Sequence, residues 1–389
     1  MNLVSIPYHD WRKISKEGAR TRDAHFLHHL ANHERVSKLL VVNRPTTYLE
    51  ILVKGNSLKI EGQVIYKRGG FKLYKVSENM FVIDYITFDI LGQALNKKKW
   101  FFDIFGDQQL SAFYKECLNL LQMKQPIIFN KNIFAYKFIE NNSYSKSVFD
   151  AWDNFLQFPD NKTIEEELKT AYSSLSKHAS KWITNSKKNI DYFTKLLNIP
   201  APVLIKNGVD FETFRKKYEV PEDMKTITRP IIGFGGKISH LFDWEMYNYC
   251  LEKHPDKSFV IVGQVLDKQV FNDISKSDNF HYLSDKHYSK YPAYVCNFDV
   301  GIIPYVNNHL DSGADSIKAY EYLAARLPSV GSRGAGMADL SEFMLIADDK
   351  ESFSLLIDKA VNAKAEINLS PDHSWKSKTD SFIELASRL

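Results

Sequence analysis

Residues Asp311–Ser332 read DSGADSIKAYEYLAARLPSVGS. Just ahead of them, Asn297–Val306 (NFDVGIIPYV) is apolar enough to be a buried strand ending at Pro304. A loop of small and acidic residues follows, then about three helical turns, a stop at Pro328 and a second loop of small residues. Strand, polar loop, helix, strand and Gly-rich loop is the order by which an α/β sheet builds a pocket at the carboxyl ends of its strands.

Wound as a helix, this stretch places Ile317, Tyr320, Leu323, Ala324 and Leu327 on one side. Lys318, Glu321, Tyr322 and Ala325 fall on the other. A core helix needs the first set. The second supplies a cation and a carboxylate at i and i+3, beside a helix N-terminus whose free N–H groups attract anions. Two readings fit them. One is a solvated ion pair; the other is a wall of a nucleotide-sugar site, with amides and Lys318 toward the diphosphate and Glu321 toward the ribose hydroxyls.

Upstream, Pro230–Phe234 (PIIGF) reads as a strand running into Gly235-Gly236-Lys237. Adjacent glycines let a backbone approach a phosphate, and Lys237 adds charge; a tight structural turn explains the same residues. Helices are expected at Trp244–His254 and Tyr288–Cys296, and strands at Ser258–Val262 and Phe280–Leu283. Downstream come Arg333-Gly334-Ala335-Gly336, a strand at Phe343–Ala347 and a helix at Ser352–Ala363. The tail, Trp375–Leu389, reads as a helix able to pack back on the first half.

The first half alternates in the same way. Leu3–Pro7 is a strand, Arg12–Arg22 a basic loop, and Asp23 a cap for a helix from Ala24 to Asn32. Val36–Val42 is the next strand, and Tyr48–Asp89 reads as short hairpins around Gly69-Gly70. After a helix at Gln108–Met123 come strands at Pro126–Asn130 and Ser147–Ala151, the latter ending at Asp150, Trp152 and Asp153. A helix at Glu165–His178, a strand at Trp182–Asn185 and a helix at Lys187–Leu197 lead to Pro200 and Pro202. The architecture expected is two doubly wound α/β domains facing across a cleft, residues 1–199 and 200–370, with a terminal helix, 371–389, returning to the first.

Composition is that of a soluble globular chain: 389 residues, 44% hydrophobic, 25% charged, net charge +4. Cys117, Cys250 and Cys296 lack CxxC spacing, which points to a reducing cytoplasm and no structural zinc. His25 and His29 stand at i,i+4 without an HExxH partner, so no metal is expected. The N-terminus is not a signal peptide, no apolar run spans a bilayer, and no nucleic-acid signature occurs. The basic and aromatic cluster Lys97, Lys98, Lys99, Trp100, Phe101 and Phe102, with Lys67 and Arg68, reads either as solvated surface over core aromatics or as a docking face for an anionic membrane leaflet.

Several segments together resemble the GT-B glycosyltransferases of bacterial cell-surface polysaccharide biosynthesis, of the teichuronic-acid, capsule and xanthan-glucuronosyltransferase kinds. They are PIIGFGGKISHLFDWEMYNYCLEKHPDKSFVIVGQV, HYLSDKHYSKYPAYVCNFDVGIIPYVNNH and DSIKAYEYLAARLPSVGS, preceded in order by SVFDAWDNF, SKWITNSKKN and LIKNGVDFETF. The resemblance covers residues 145–375 best. It implies two facing Rossmann-like domains (GT-B), a nucleotide-sugar donor in the C-terminal domain and an acceptor in the N-terminal one, with no bound metal or other cofactor. The acceptor implied is a growing polysaccharide or a lipid-linked saccharide at the inner membrane face, approached by a cytoplasmic protein. Carried over by position, Glu321 matches the ribose-binding carboxylate, Lys318 a phosphate-side lysine and Gly235-Gly236 the diphosphate loop, with Lys237 beside it.

Retaining members commonly place a second Glu eight residues before the first; Gly313 stands there, with Asp311 and Asp315 nearby. Inverting relatives carry a catalytic Asp in an Ala-x-Asp segment that Ala151-Trp152-Asp153 resembles, which makes Asp153 the candidate general base. Arg333 is a candidate for the phosphate clamp or the surface, and Asp10, Arg22 and His25 for acceptor or sugar contacts. A nucleotide-sugar epimerase on the same fold and a non-catalytic nucleotide-sugar-binding subunit of a polysaccharide assembly complex are the alternatives.

Overall fold

Two parallel sheets organise the chain in the computed structural model, which describes residues 1–307, 313–363 and 367–389. The chain divides into two units, Met1–Ile205 with Thr379–Leu389, and Lys206–Lys378.

Unit 1 opens with β1 (Asn2–Ile6), α1 (Trp11–Glu17), α2 (Arg22–Ala31) and β2 (Lys38–Val42). A short β3 (Thr46–Thr47), α3 (Tyr48–Val53) and three strands follow: β4 (Gln63–Arg68), β5 (Phe71–Lys75) and β6 (Met80–Thr87). Helices α4 (Ile90–Asn96), α5 (Lys99–Phe105) and α6 (Gln108–Leu120) lead to β7 (Ile127–Asn130), α7 (Tyr136–Asn141) and β8 (Ser147–Asp150). Then come α8 (Glu165–His178), β9 (Lys181–Thr184), α9 (Lys187–Leu197) and β10 (Val203–Leu204).

Among the described residues the sheet runs β10-β9-β8-β7-β1-β2-β6-β5-β4, with β3 on β6 off this path. It is parallel throughout except for the antiparallel meander β4-β5-β6, which turns at Gly69. From β1 the chain winds outward to β2 and β6, then returns to β7 on the other side. Strand order therefore reverses between β1 and β7, the place where such sheets bind ligands.

Unit 2 contains α10 (Phe211–Phe214), β11 (Ile231–Gly235), α11 (Trp244–Lys253), β12 (Ser258–Val262) and α12 (Lys268–Asp273). It continues with β13 (Phe280–Tyr282), α13 (Tyr291–Val295), β14 (Val300–Ile303) and α14 (Ile317–Ala324). It closes with β15 (Ser329–Ser332), β16 (Leu345–Ala347) and α15 (Lys350–Val361), before α16 (Trp375–Ser387). The order β13-β12-β11-β14-β15-β16 reverses between β11 and β14. Alternation along the strands fills both faces. Ile231, Val260, Val262 and Ile303 join the core under α13 and α14, whereas Ile232, Phe259, Ile261, Val300 and Ile302 join the core under α11 and α15. In α16, Trp375 is buried and its N–H donates to the Val209 carbonyl at 3.1 Å, while Phe382 stacks on Phe129 of unit 1 at 3.9 Å.

Three expectations change here. The basic stretch 12–22 is largely helix: Asp10 caps α1 by accepting from the Arg12 N–H, and Gly18, at φ 82°, ends it. Thr21, not Asp23, precedes α2, and Asp23 lies buried in its first turn. Residues 48–89 begin with α3, whose cap is the Thr47 hydroxyl accepting from the Glu50 N–H.

Helix α1 is stitched to the sheet by charge. The Arg12 guanidinium donates in a fork to Asp84 of β6 at 2.8 and 2.7 Å, and Asn43 donates to both Asp84 and Asp10. Arg12 and Asp84 are buried. Breaking such a pair from one side leaves an uncompensated charge, so Arg12→Met is expected to destabilise unit 1 by about 3–5 kcal/mol in urea unfolding followed by tryptophan fluorescence.

Candidate functional site

In unit 2 the carboxyl ends of β11 and β14 flank the reversal of strand order. Gly235 ends β11, with Gly236 and Lys237 next; beyond β14 comes α14, with Lys318 and Glu321 in its first turns. Neither glycine has a positive φ, so close approach is the constraint, and it is tight at Gly235. A Cβ at Gly235 would stand 2.2 Å from the Tyr291 hydroxyl, and one at Gly236 2.4 Å from Lys318 Cε. The Gly235 N–H donates to the Tyr322 hydroxyl at 2.7 Å, the Tyr291 hydroxyl donates to the Gly235 carbonyl, and the Gly236 N–H donates to the Val262 carbonyl. Packing brings Gly235, Gly236 and Lys318 together, but it already uses the glycine amides.

Lys318 lies over Gly236 and donates to the Tyr305 hydroxyl, its ammonium 4.9 Å from that ring and 5.7 Å from the Phe234 ring. Ser316 precedes α14 without a side-chain cap bond, and its buried hydroxyl has no partner among the described residues. An uncapped helix start, an orphan hydroxyl and a half-buried ammonium are groups that attract an anion.

Glu321 is not a solvated surface residue: it is 3% exposed and accepts from the Tyr288 hydroxyl at 2.7 Å. Burial pushes its carboxyl above the usual range, against the opposing effects of the Tyr288 hydrogen bond, the Lys318 charge and the Tyr291 hydrogen bond. Tyr322, expected on the polar side, is fully buried, so α14 is enclosed nearly all round. Gly313 has φ 75°, a left-handed conformation that strains any residue with a Cβ, and Asp315 accepts from the Asn207 N–H and the Tyr320 hydroxyl. Asp311 falls outside the described residues. Arg333 pairs with Asp348 on the surface, its side chain 60% exposed. Lys237 is half-buried beside the loop.

In unit 1 the corresponding edge carries buried charge. The Arg22 guanidinium donates to Asp150 at the end of β8, at 2.9 and 3.2 Å, and stacks over Phe26. Asp10 is committed to capping α1, and His25 is buried in α2, where desolvation, then His29 and His28, push its imidazole down to about 3. Asp153 follows β8 and is half-buried; its carbonyl accepts from the Tyr172 hydroxyl at 3.4 Å. Tyr8, in the loop that leaves β1, packs edge-on against Trp152 with ring centres 5.5 Å apart, which brings the residue next to Asp153 beside that loop.

His9 of that loop and Asp23 of α2 form a pair absent from the expectations. His9 Nδ1 lies 3.0 Å from Asp23 Oδ2, and the His9 N–H donates to the same oxygen at 2.9 Å. The Thr21 hydroxyl and the Ala24 N–H also donate to Asp23. Burial would raise this carboxyl, but His9 and the hydrogen bonds hold it well below the usual range. An ionised Asp on Nδ1 orients the ring and leaves Nε2 to take a proton. Lys131, just past β7, was also missed. It is fully buried, donates to the Ser5 hydroxyl at 2.5 Å and lies 4.0 Å from the Phe129 ring.

Burial pushes the Lys131 amine down to about 7, against Asp23 and Asp150, which raise it. Between about 7 and 10.5 the unfolded chain therefore binds more protons than the folded one, and stability rises with pH across that window. Lys131→Met removes this slope. In urea unfolding the variant's stability relative to the wild type is expected to fall steadily as pH increases through that range.

No family model matches the chain. A Bacillus subtilis (strain 168) protein named as a teichuronic acid biosynthesis glycosyltransferase, TuaH, is 27% identical over 132 residues, 33% of this chain and 33% of that protein. The match thus spans about a third of the curated relative's length. Among solved structures, trehalose-6-phosphate synthase OtsA superposes with a TM-score of 0.73 at 12% identity, over 100% of this chain and 99% of that one. The UDP-forming trehalose-phosphate synthase of Burkholderia xenovorans gives 0.72 at 12%, with both chains covered in full. HepE of Anabaena, solved with UDP and glucose, gives 0.68 at 13%, again over both whole chains. The fold is that of the GT-B glycosyltransferases.

Proposed function

We propose that this GT-B chain is a glycosyltransferase that moves a sugar from a nucleotide-sugar donor to a saccharide acceptor. The observation that carries the reading is the wall at the switch point of unit 2, where Lys318 crosses Gly236 one helical turn from the buried, tyrosine-held Glu321. Glu321 takes the ribose hydroxyls, and Lys318, Ser316 and the start of α14 take the diphosphate. Support comes from the relatives: HepE was solved with UDP and glucose, an E. coli neighbour with UDP-2-fluoro glucose, and TuaH is named for teichuronic acid biosynthesis. The acceptor we assign is a growing surface polysaccharide or its lipid-linked precursor.

In the reaction the bond from the anomeric carbon to the diphosphate breaks, the acceptor oxygen bonds to that carbon, and the acceptor proton passes to a base. Lys318 and Lys237 supply the charge that the leaving diphosphate requires, so the chemistry asks for no metal. Inversion with Asp153 as base is our primary reading, supported by the left-handed Gly313 where retaining relatives carry Glu. A trehalose-6-phosphate synthase neighbour is described as transferring with retention, so product stereochemistry is the deciding measurement. His9, oriented by Asp23, is a second base at the same edge.

Purified protein is expected to release nucleoside diphosphate from one of the UDP-, GDP- or dTDP-sugars only when acceptor is present. Acceptor-independent conversion of the donor would make it an epimerase, and donor binding without turnover a non-catalytic subunit. Glu321→Ala should weaken donor binding by about ten- to a hundredfold, the worth of a charged hydrogen bond. Asp153→Asn should lower kcat by about 10²–10⁴ with donor affinity kept; if His9→Ala does so instead, the base is the His9–Asp23 pair.

A further inference from the structure

Large apolar side chains stand open on two neighbouring helices of unit 1. Leu52 and Val53 of α3 are 69% and 78% exposed, and Phe88, Leu91 and Leu95, at and along α4, are 76%, 77% and 80% exposed. Helix α4 buries no residue. The two helices make one surface. Tyr48 stacks on Phe88 with ring centres 4.2 Å apart, the Thr47 hydroxyl donates to Gln93 Oε1 at 2.6 Å, and Gln93 Nε2 donates to Glu50. Single exposed leucines are ordinary, but a contiguous group held in place by hydrogen bonds marks an interaction site.

The surrounding charge identifies the partner. Lys54 and Lys97, which end α3 and α4, are exposed, as is Lys59, and Lys54 pairs with Glu50. Of the acids, Glu50 faces Arg44, Lys54 and Gln93, while Asp89 caps α4 at Gly92 and accepts from the Trp100 indole; Glu61 stands exposed beside Lys59. The cluster singled out in the sequence contributes less. Lys98 donates to Asp160 and Asn161, Lys99 pairs with Glu167, and Trp100 and Phe102 are buried in the core. No helix among the described residues is long and apolar enough to cross a membrane. Helices α3 and α4 follow the ends of β3 and β6, at the carboxyl edge of the sheet that also carries His9 and Asp153.

We infer that this face docks on the surface of an anionic lipid bilayer, with Leu52, Val53, Phe88, Leu91 and Leu95 entering the interface and the lysines meeting headgroups. This deepens the glycosyltransferase reading, since it places the acceptor edge at a lipid surface, but vesicle binding needs neither donor nor turnover. The test is co-sedimentation of the full chain with vesicles of phosphatidylglycerol and phosphatidylcholine, and of phosphatidylcholine alone. Binding to the anionic vesicles is expected, about tenfold weaker with the neutral ones and about tenfold weaker for the double variant L91Q/L95Q. Lys97→Glu should weaken binding and its salt dependence, and donor-induced thermal shift should not change in either variant. No sedimentation of the wild type, or equal sedimentation of wild type and L91Q/L95Q, overturns the proposal. Self-association that L91Q/L95Q abolishes, without vesicle binding, gives the face to a second copy and overturns it as well. Loss of donor turnover with vesicle binding intact refutes the transferase reading and leaves the docking.

Discussion

No Cβ can stand at residue 263, where it would lie 1.8 Å from the Gly236 carbonyl oxygen, or at residue 235, where it would lie 2.2 Å from the hydroxyl of the buried Tyr291. The missing side chain at 235 lets α13 and α14 close on the end of β11, with Glu321 buried and the Tyr322 hydroxyl at the Gly235 N–H. It also decides which groups can meet an anion. With both glycine N–H groups bound within the unit, positive potential comes from Lys318 and the uncapped start of α14, not from an amide cradle. The glycines serve the site by what they let approach.

Unit 1 uses ionisable groups differently. Arg12 with Asp84 and Arg22 with Asp150 are buried pairs whose desolvation cost offsets much of their attraction, so they fix geometry more than they add stability. Each ties an early helix to a strand: α1 to β6, and α2 to β8. Once α2 is held, Asp23 in its first turn meets the His9 ring at the end of the β1 loop. Lys131 has a hydroxyl and a ring as near neighbours, with Asp23 and Asp150 acting from further away, and burial dominates its protonation.

How much of this was legible follows from the range of each interaction. Strand β12 and helices α8 and α9 have the limits their periodicity predicts, because local pattern and tertiary packing agree there. Helix α1 was hidden because its cap, Asp10, lies ahead of a run of basic residues that reads as loop. The i,i+3 relation of Lys318 and Glu321 was visible, but not the burial of Glu321, which depends on Tyr288, 33 residues upstream. His9 and Asp23, 14 residues apart, meet only after α1 has turned the chain back on β1. Lys131 follows an apolar strand and reads as the solvated end of it; only the packing of Ser5 and Phe129 shows otherwise.

The open leucines follow the same rule from the other side. Leu91 and Leu95, at i and i+4, form the stripe that a core helix would carry, and pattern alone cannot separate a helix that is covered by its own fold from one that is not. Here the helix is held from its polar side: Asp89 caps it and Gln93 anchors it to Thr47 and Glu50, so its apolar side does no packing within the unit. A helix stabilised that way keeps its leucines outward at a cost in exposed apolar area that the fold does not recover. In the docking we propose, a bilayer surface recovers it beside the loops that carry His9 and Asp153. On that reading an acceptor carried on lipid would reach the proposed base along the membrane, without leaving it.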